Sequence, residues 1–209
     1  LSDDVINKNL EEQAQAIFKA WFVDFEPFGG IEPIKWKYIP LGEIANISSG
    51  KRPLQKSEIM TKQDSIPVVG ASNIMGYTNN ANHVDKILVI GRVGTHGIVQ
   101  RFNSPCWASD NTLVVTSKYY EYVYQILCRI DYAALNRGST QPLITQGDMK
   151  KILILFPDES TIEKFEQLTG TLMLQYEHNI IENKRLSTLR DTLLSRLMSG
   201  EIDVSSIEV

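Results

Sequence analysis

Residues 136–145, read as Asn136-Arg137-Gly138-Ser139-Thr140-Gln141-Pro142-Leu143-Ile144-Thr145, gather side-chain donors on a short glycine-broken stretch that ends in an apolar run. The guanidinium of Arg137 matches the paired acceptors of guanine or a phosphate, and the amide of Gln141 matches the edge of adenine. Ser139 and Thr140 add hydroxyls that can meet either. Gly138 and Pro142 restrict the turn, so these donors are presented rather than buried. The competing role for Thr140 and Gln141 is to cap the turn and hold it against the strand that follows. Four other loops carry the same chemistry. Residues 48–56 hold the cations Lys51, Arg52 and Lys56; Ser72-Asn73 and Asn79-Asn80 supply amides; and residues 91–97 set Arg92, Thr95 and His96 among three glycines. Lys and Arg suit phosphates, whereas Arg, Asn and Gln suit base edges.

Other chemistries fit the residues poorly. The glycines at 91, 94 and 97 follow an apolar strand, but their spacing is not that of a dinucleotide fingerprint, and a second strand pattern follows where a helix is required. His83, His96 and His178 have no metal-ligand spacing to cysteine or carboxylate. Ser109-Asp110 and the separate histidines give no coherent nucleophile, base and acid. A DNA amino-methyltransferase needs an Asn/Asp-Pro-Pro-aromatic motif, and no two of the eight prolines are adjacent. Tyr119, Tyr120, Tyr122 and Tyr124 crowd one segment, where packing of a helix against a core is expected rather than base stacking.

The elements that must position these loops divide the chain in three. Residues 1–34 hold 2 Lys/Arg against 7 Asp/Glu, residues 35–155 hold 14 against 8, and residues 156–209 hold 5 against 10. A basic centre between acidic ends suggests a polyanion for the centre and protein for the ends; charge alone leaves open that the surplus only maintains solubility. The centre contains β-branched runs at 66–69, 87–90, 112–115 and 152–155, separated by Gly, Asn and Ser, which predict strands joined by long polar loops. One helix is predicted near 119–130. The expected domains are a helix and linker at 1–32, a strand-rich domain at 33–156, and a long helix with its tail at 157–209.

Apolar residues at Val5, Ile6, Leu10, Ala14, Ile17, Trp21 and Phe22 have helical spacing over about 3–24. Near the other end, Pro157 and the capping box Ser160-x-x-Glu163 open a helix that runs to Ser199-Gly200. At 1.5 Å per residue this rod is roughly 60 Å long. Its inward register, Ile162, Phe165, Thr169, Leu172, Tyr176, Asn179, Asn183, Leu186, Arg190, Leu193 and Leu197, is a coiled-coil seam with polar interruptions that set register. The two helices echo each other: Asn7-Lys8-x-Leu10 matches Asn183-Lys184-x-Leu186, and Ile17-Phe18 falls in phase with Leu193-Leu194. Such an echo, in a chain that starts at Leu1 on a helical pattern, is what a cut through a tandem helix-domain array leaves.

Taken in order, these features resemble a target-recognition domain with its conserved helical regions from the DNA specificity subunit of type I restriction-modification enzymes. The resemblance rests on the run Asn7 to Phe25; on Trp36 with residues 41–44 and 49–53; on Gly70-Ala71-Ser72-Asn73-Ile74; on residues 91–97 and 138–145; and on Asn183 through Gly200. It implies an α+β fold, a strand-rich recognition domain with a long antiparallel coiled-coil arm built from both termini. It implies a subunit without catalysis or cofactor of its own, reading one half of a bipartite double-stranded DNA target. Methyltransferase subunits and a restriction/translocase subunit would bring S-adenosylmethionine, ATP and Mg. A full subunit has two recognition domains and this chain has one, so a homodimer through the helical arm is expected.

A rival reading from the residues makes the chain a protein-interaction module, with the coiled coil as its function and an acidic protein on the basic loops. Under either reading the cytoplasm is the expected location, because no leader pattern and no run of about 20 apolar residues occurs. Cys106 and Cys128 are expected to be reduced, partly buried thiols.

Overall fold

A computed structural model describes residues 3–92, 97–135 and 143–201. Helix α1 spans Asp3–Phe22. Strands β1 (Lys37–Pro40), β2 (Asn46–Ser49), β3 (Ile66–Val69), β4 (Ile74–Thr78), β5 (Ile87–Gly91), β6 (Val99–Phe102), β7 (Trp107–Ala108) and β8 (Thr112–Thr116) follow. Then come α2 (Tyr120–Leu127), α3 (Gln146–Lys151), β9 (Leu153–Phe156) and the 40-residue α4, Glu159–Met198. Helix α3, six residues long and capped by the Thr145 side chain accepting from the Asp148 N–H, was not expected from the sequence.

The strands form a four-stranded antiparallel sheet in the order β2-β8-β5-β6, a three-stranded sheet β4-β3-β7 and the pair β1-β9. The run Ile87-Leu88-Val89-Ile90 is apolar throughout because both faces of the larger sheet are covered. Leu88 and Ile90 belong to the main core with α1, α2 and α4, whereas Ile87 and Val89 pack with Val69, Cys106, Ala108 and Val114 beneath the smaller sheet. Tyr119, Tyr120, Tyr122 and Tyr124 are all buried, as expected. Both cysteines are free, as expected, but they differ from expectation in burial: Cys106 is fully buried and Cys128 is exposed.

Helix α1 lies antiparallel on the first half of α4. Phe22 meets Phe165 at 5.2 Å between ring centroids, while at the far end the Asn179 amide donates to the Asn7 carbonyl at 2.9 Å. Spacings of seven and four residues put Asn7, Ala14, Phe18 and Phe22 on one buried stripe. Opposite them α4 buries Ile162, Phe165, Thr169 and Met173. From Lys184 to Met198 the helix runs on without a partner among the described residues. Leu186, Leu189, Leu193, Leu194 and Leu197 lie there with 41–50% of their surfaces exposed.

The capping box predicted at Ser160 is displaced. Asp158 caps α4, accepting from the Thr161 N–H at 3.1 Å, and it also accepts the indole N–H of buried Trp36 at 3.2 Å. Two independent donors make the earlier carboxylate the better cap.

The sheet is tied to the arm by a buried charge cluster. Arg101 on β6 makes two bonds to Glu121 on α2, at 2.6 and 2.7 Å, and a third to Glu177 on α4 at 3.3 Å. Its guanidinium lies 5.0 and 4.6 Å from the ring centroids of Tyr120 and Tyr124. Burial pulls against its charged form, but the hydrogen bonds and charge of Glu121 outweigh burial and raise its pKa. Beside this cluster, Glu166 of α4 accepts the N–H groups of Tyr122 at 2.7 Å and Glu121 at 3.1 Å, capping α2 from a different helix. Of the described helices, none is long and apolar enough to cross a membrane.

Candidate nucleic-acid interface

The loop after β2 starts at Gly50, whose position admits no side chain. A Cβ there would lie 2.1 Å from the Ser109 carbonyl oxygen and 2.6 Å from that of Ala108. The close approach lets the Lys51 N–H donate to Ala108 O at 2.9 Å, while the Trp107 indole donates to Lys51 O at 2.6 Å. The strand they hold is itself locked, because the Asn82 side chain bonds both the carbonyl and the N–H of Ala108. Seven residues on, Ser57 and Tyr77 exchange two backbone bonds of 2.8 Å, and the Ser57 hydroxyl donates to Asp64 at 2.5 Å. Residues 51–57 therefore form a bridge pinned to β7 at one end and to β4 at the other. Lys51, Arg52 and Lys56 all stand exposed on it. His83, half-buried near Lys51, has its pKa lowered by burial and then by that positive charge, which favours neutral imidazole.

Asn73 is exposed at a turn closed by the Gly70 N–H donating to its carbonyl at 2.7 Å. Arg92 is not a freely presented cation. It is half-buried and donates to the Ser49 hydroxyl at 3.3 Å, and its Nε has no hydrogen-bond partner among the described residues. Gln146, which the sequence reading did not single out, donates to the same hydroxyl at 2.7 Å. The Ile144 N–H donates to the Arg92 carbonyl at 3.0 Å. Thr95, His96, Arg137, Ser139, Thr140 and Gln141 lie outside the described residues. Their flanks do not: Arg92 precedes one segment, Leu143-Ile144 follows the other, and Ser49 leads into the basic bridge. Contacts among these residues bring the flanks of three of the five polar loops to one node at the ends of β2 and β5.

This node can present donors from separate loops over a rigid double sheet, an arrangement suited to reading a surface rather than enclosing a small molecule. The model of the type I restriction modification DNA specificity domain family matches residues 33–189. The chain belongs to this family. Among curated specificity-domain relatives, the type I restriction enzyme MjaIX specificity subunit of Methanocaldococcus jannaschii is 26% identical over 96% of this chain and 55% of its own length. The HindI specificity subunit of Haemophilus influenzae is 23% identical over 94% of this chain and 62% of its own. The crystal structure of a type I restriction-modification S subunit from M. genitalium superposes with a TM-score of 0.62 at 18% identity, covering 93% of this chain and 52% of that one. The specificity-domain chain thus spans between about half and three fifths of these three proteins, and it shares the fold of about half of an S subunit.

Two features of the specificity domain escaped the sequence reading. Gln146 carried a signal in the Thr145-x-x-Asp148 cap that precedes α3. Trp107 carried none, since its anchoring of Lys51 joins positions 56 residues apart.

Proposed function

We propose that this chain is the DNA-reading half of a type I specificity subunit. It binds one part of a bipartite double-stranded DNA target and supplies no catalysis. The observation that carries this reading is the cluster of polar loop flanks at Ser49, Arg92 and Ile144, next to a pinned bridge bearing three exposed cations and no carboxylate. Two features of the arm support a scaffolding role. The buried Arg101 cluster holds the sheet on α4, and the distal half of α4 leaves a leucine-rich face for protein. Methyltransferase and restriction/translocase subunits are the proposed partners, and S-adenosylmethionine, ATP and Mg belong to them.

The surface for self-association is narrower than the whole arm. Residues 3–22 already pair within the chain, so a two-fold dimer would use residues 184–198, a stretch of roughly 22 Å at 1.5 Å per residue. The exposed leucines there also favour the second reading, a protein-interaction module whose bridge binds an acidic protein. Competition binding to a randomised duplex library separates the two. Sequence preference together with a log K versus log salt slope near −4 to −5, the value for about 4–6 phosphate contacts, supports DNA reading. Salt-insensitive binding or no enriched sequence favours the module.

A further inference from the structure

Leu54 stands at the middle of the pinned bridge, three residues from the Lys51 anchor and three from the Ser57 anchor, and it is 98% exposed. Single exposed apolar residues are ordinary on protein surfaces. This one differs in setting. It follows Pro53, which restricts the backbone at the apex, and it sits between Arg52 and Lys56 on a segment whose first carboxylate, Glu58, lies beyond the second anchor. Both anchors are backbone hydrogen bonds to sheet strands, so the two ends of the bridge are fixed while Leu54 stands clear of the domain between them. The stem of Lys56 lies against Gly76 on β4, where a Cβ would meet its Cγ at 2.9 Å, while the residue as a whole stays exposed.

We infer that Leu54 is a wedge for duplex DNA: an apolar side chain that enters between two base pairs while Lys51, Arg52 and Lys56 hold the flanking phosphates. The inference rests on the DNA-reading function proposed above. The chemistry is that of side chains that unstack a base step and kink the duplex, where a rigid apolar tip must be driven in by charge on either side. An acidic protein partner would use the same cations and could bury the tip in a pocket, and it is told apart by the absence of any unstacked base step. A thymine methyl contact would use the tip without unstacking the bases, and it is an outcome of the test.

The test uses the full chain and the highest-affinity duplex taken from a randomised library, with 2-aminopurine placed in turn at each adenine and end-to-end energy transfer reporting bend. Wild-type protein is expected to raise 2-aminopurine emission at one step and to kink the duplex by about 20–90°. Leu54→Ala should abolish the emission rise, straighten the duplex and weaken binding about tenfold, with the salt slope and melting temperature unchanged because the three cations remain and Leu54 packs on nothing. Equal emission and bend for both proteins, or a wild-type complex with neither, overturns the wedge. If the wild type enriches no sequence at all, the DNA-reading function itself fails. An enriched sequence without an unstacked step removes the wedge alone.

Discussion

Replacing Glu121 by Gln isolates the charge of one buried partner with little change of shape. The side chains of Arg101 and Glu121 are 8% and 7% exposed, and their two bonds at 2.6 and 2.7 Å are the closest contacts of the guanidinium. In Glu121→Gln the guanidinium stays buried and keeps, among the described residues, Glu177 at 3.3 Å as its ion-pair partner, besides the faces of Tyr120 and Tyr124. Removing one member of a buried pair costs about 3–5 kcal/mol, most of it the desolvation of the charge left behind. The remaining Glu177 contact places this variant near the lower end, about 3 kcal/mol. For a domain with stability on the order of 5–15 kcal/mol, that is a large fraction of the total. Urea unfolding followed by far-ultraviolet circular dichroism should show the midpoint falling by about 1–3 M, given slopes of about 1–3 kcal/mol/M. The double variant Arg101→Met with Glu121→Leu removes both charges and should recover most of the loss. A single-variant loss below about 1 kcal/mol, or a double variant no more stable than the single, would refute the claim that a desolvated charge pair joins sheet and arm.

Gly50→Ala forces a methyl group against two backbone carbonyls, so it should destabilise the chain by about 1–3 kcal/mol and shift the Trp107 indole proton resonance; an unchanged melting temperature and resonance would show that the bridge is not anchored there. Glu166 has its carboxyl raised to about 7, first by burial and next against the opposing pull of two N–H donors, with the Glu121 charge adding to the rise. The folded state therefore binds its proton more tightly than the unfolded chain, where the ordinary value is 4.5. Its contribution is present in full below pH 4.5 and is lost as pH rises to about 7, so Glu166→Gln should flatten that part of the stability profile, and an identical profile would contradict the assignment. Leu193→Lys should shift any self-association of the chain toward monomer in analytical ultracentrifugation without lowering its melting temperature, since Leu193 is 44% exposed and unpartnered among the described residues; a lower melting temperature would place that face inside the fold.

The parts of the fold legible in the sequence are those where one physical demand dominates. The apolar runs of β5 and β8 read as strands because a strand covered on both faces must be apolar at successive positions, whereas those of β3 and β9 read so from their β-branched residues although Leu153 stands exposed. The buried stripe of α1 and the length of α4 follow from helical spacing. Strand β6 was legible as the strand that follows the glycine loop, but the engagement of Gln100 and Arg101 was not, because their partners Gly70 and Glu121 come from distant parts of the chain. Helix α3 is too short for periodicity to appear. The Ser160 box failed as a cap because Trp36, far away in sequence, recruits Asp158. At the candidate interface, residue types were legible and their engagement was not. Lys51, Arg52, Lys56 and Asn73 are exposed, as presentation requires, whereas Arg92 is half-buried on a hydroxyl 43 positions away. Leu54 drew no attention in the sequence because its meaning depends on the two anchors.

If this chain reads one half of a split DNA sequence, exchanging its central domain alters the methylated motif, which genome-wide motif mapping records. In a host carrying the complete restriction-modification system, residues 33–156 would be exchanged for the aligned segment of another specificity subunit, leaving both helices of the arm in place. The half-site read by this domain is expected to change, and both half-sites change together where two copies of the chain pair. A motif unaltered in both halves, under conditions where methylation persists, would contradict that reading.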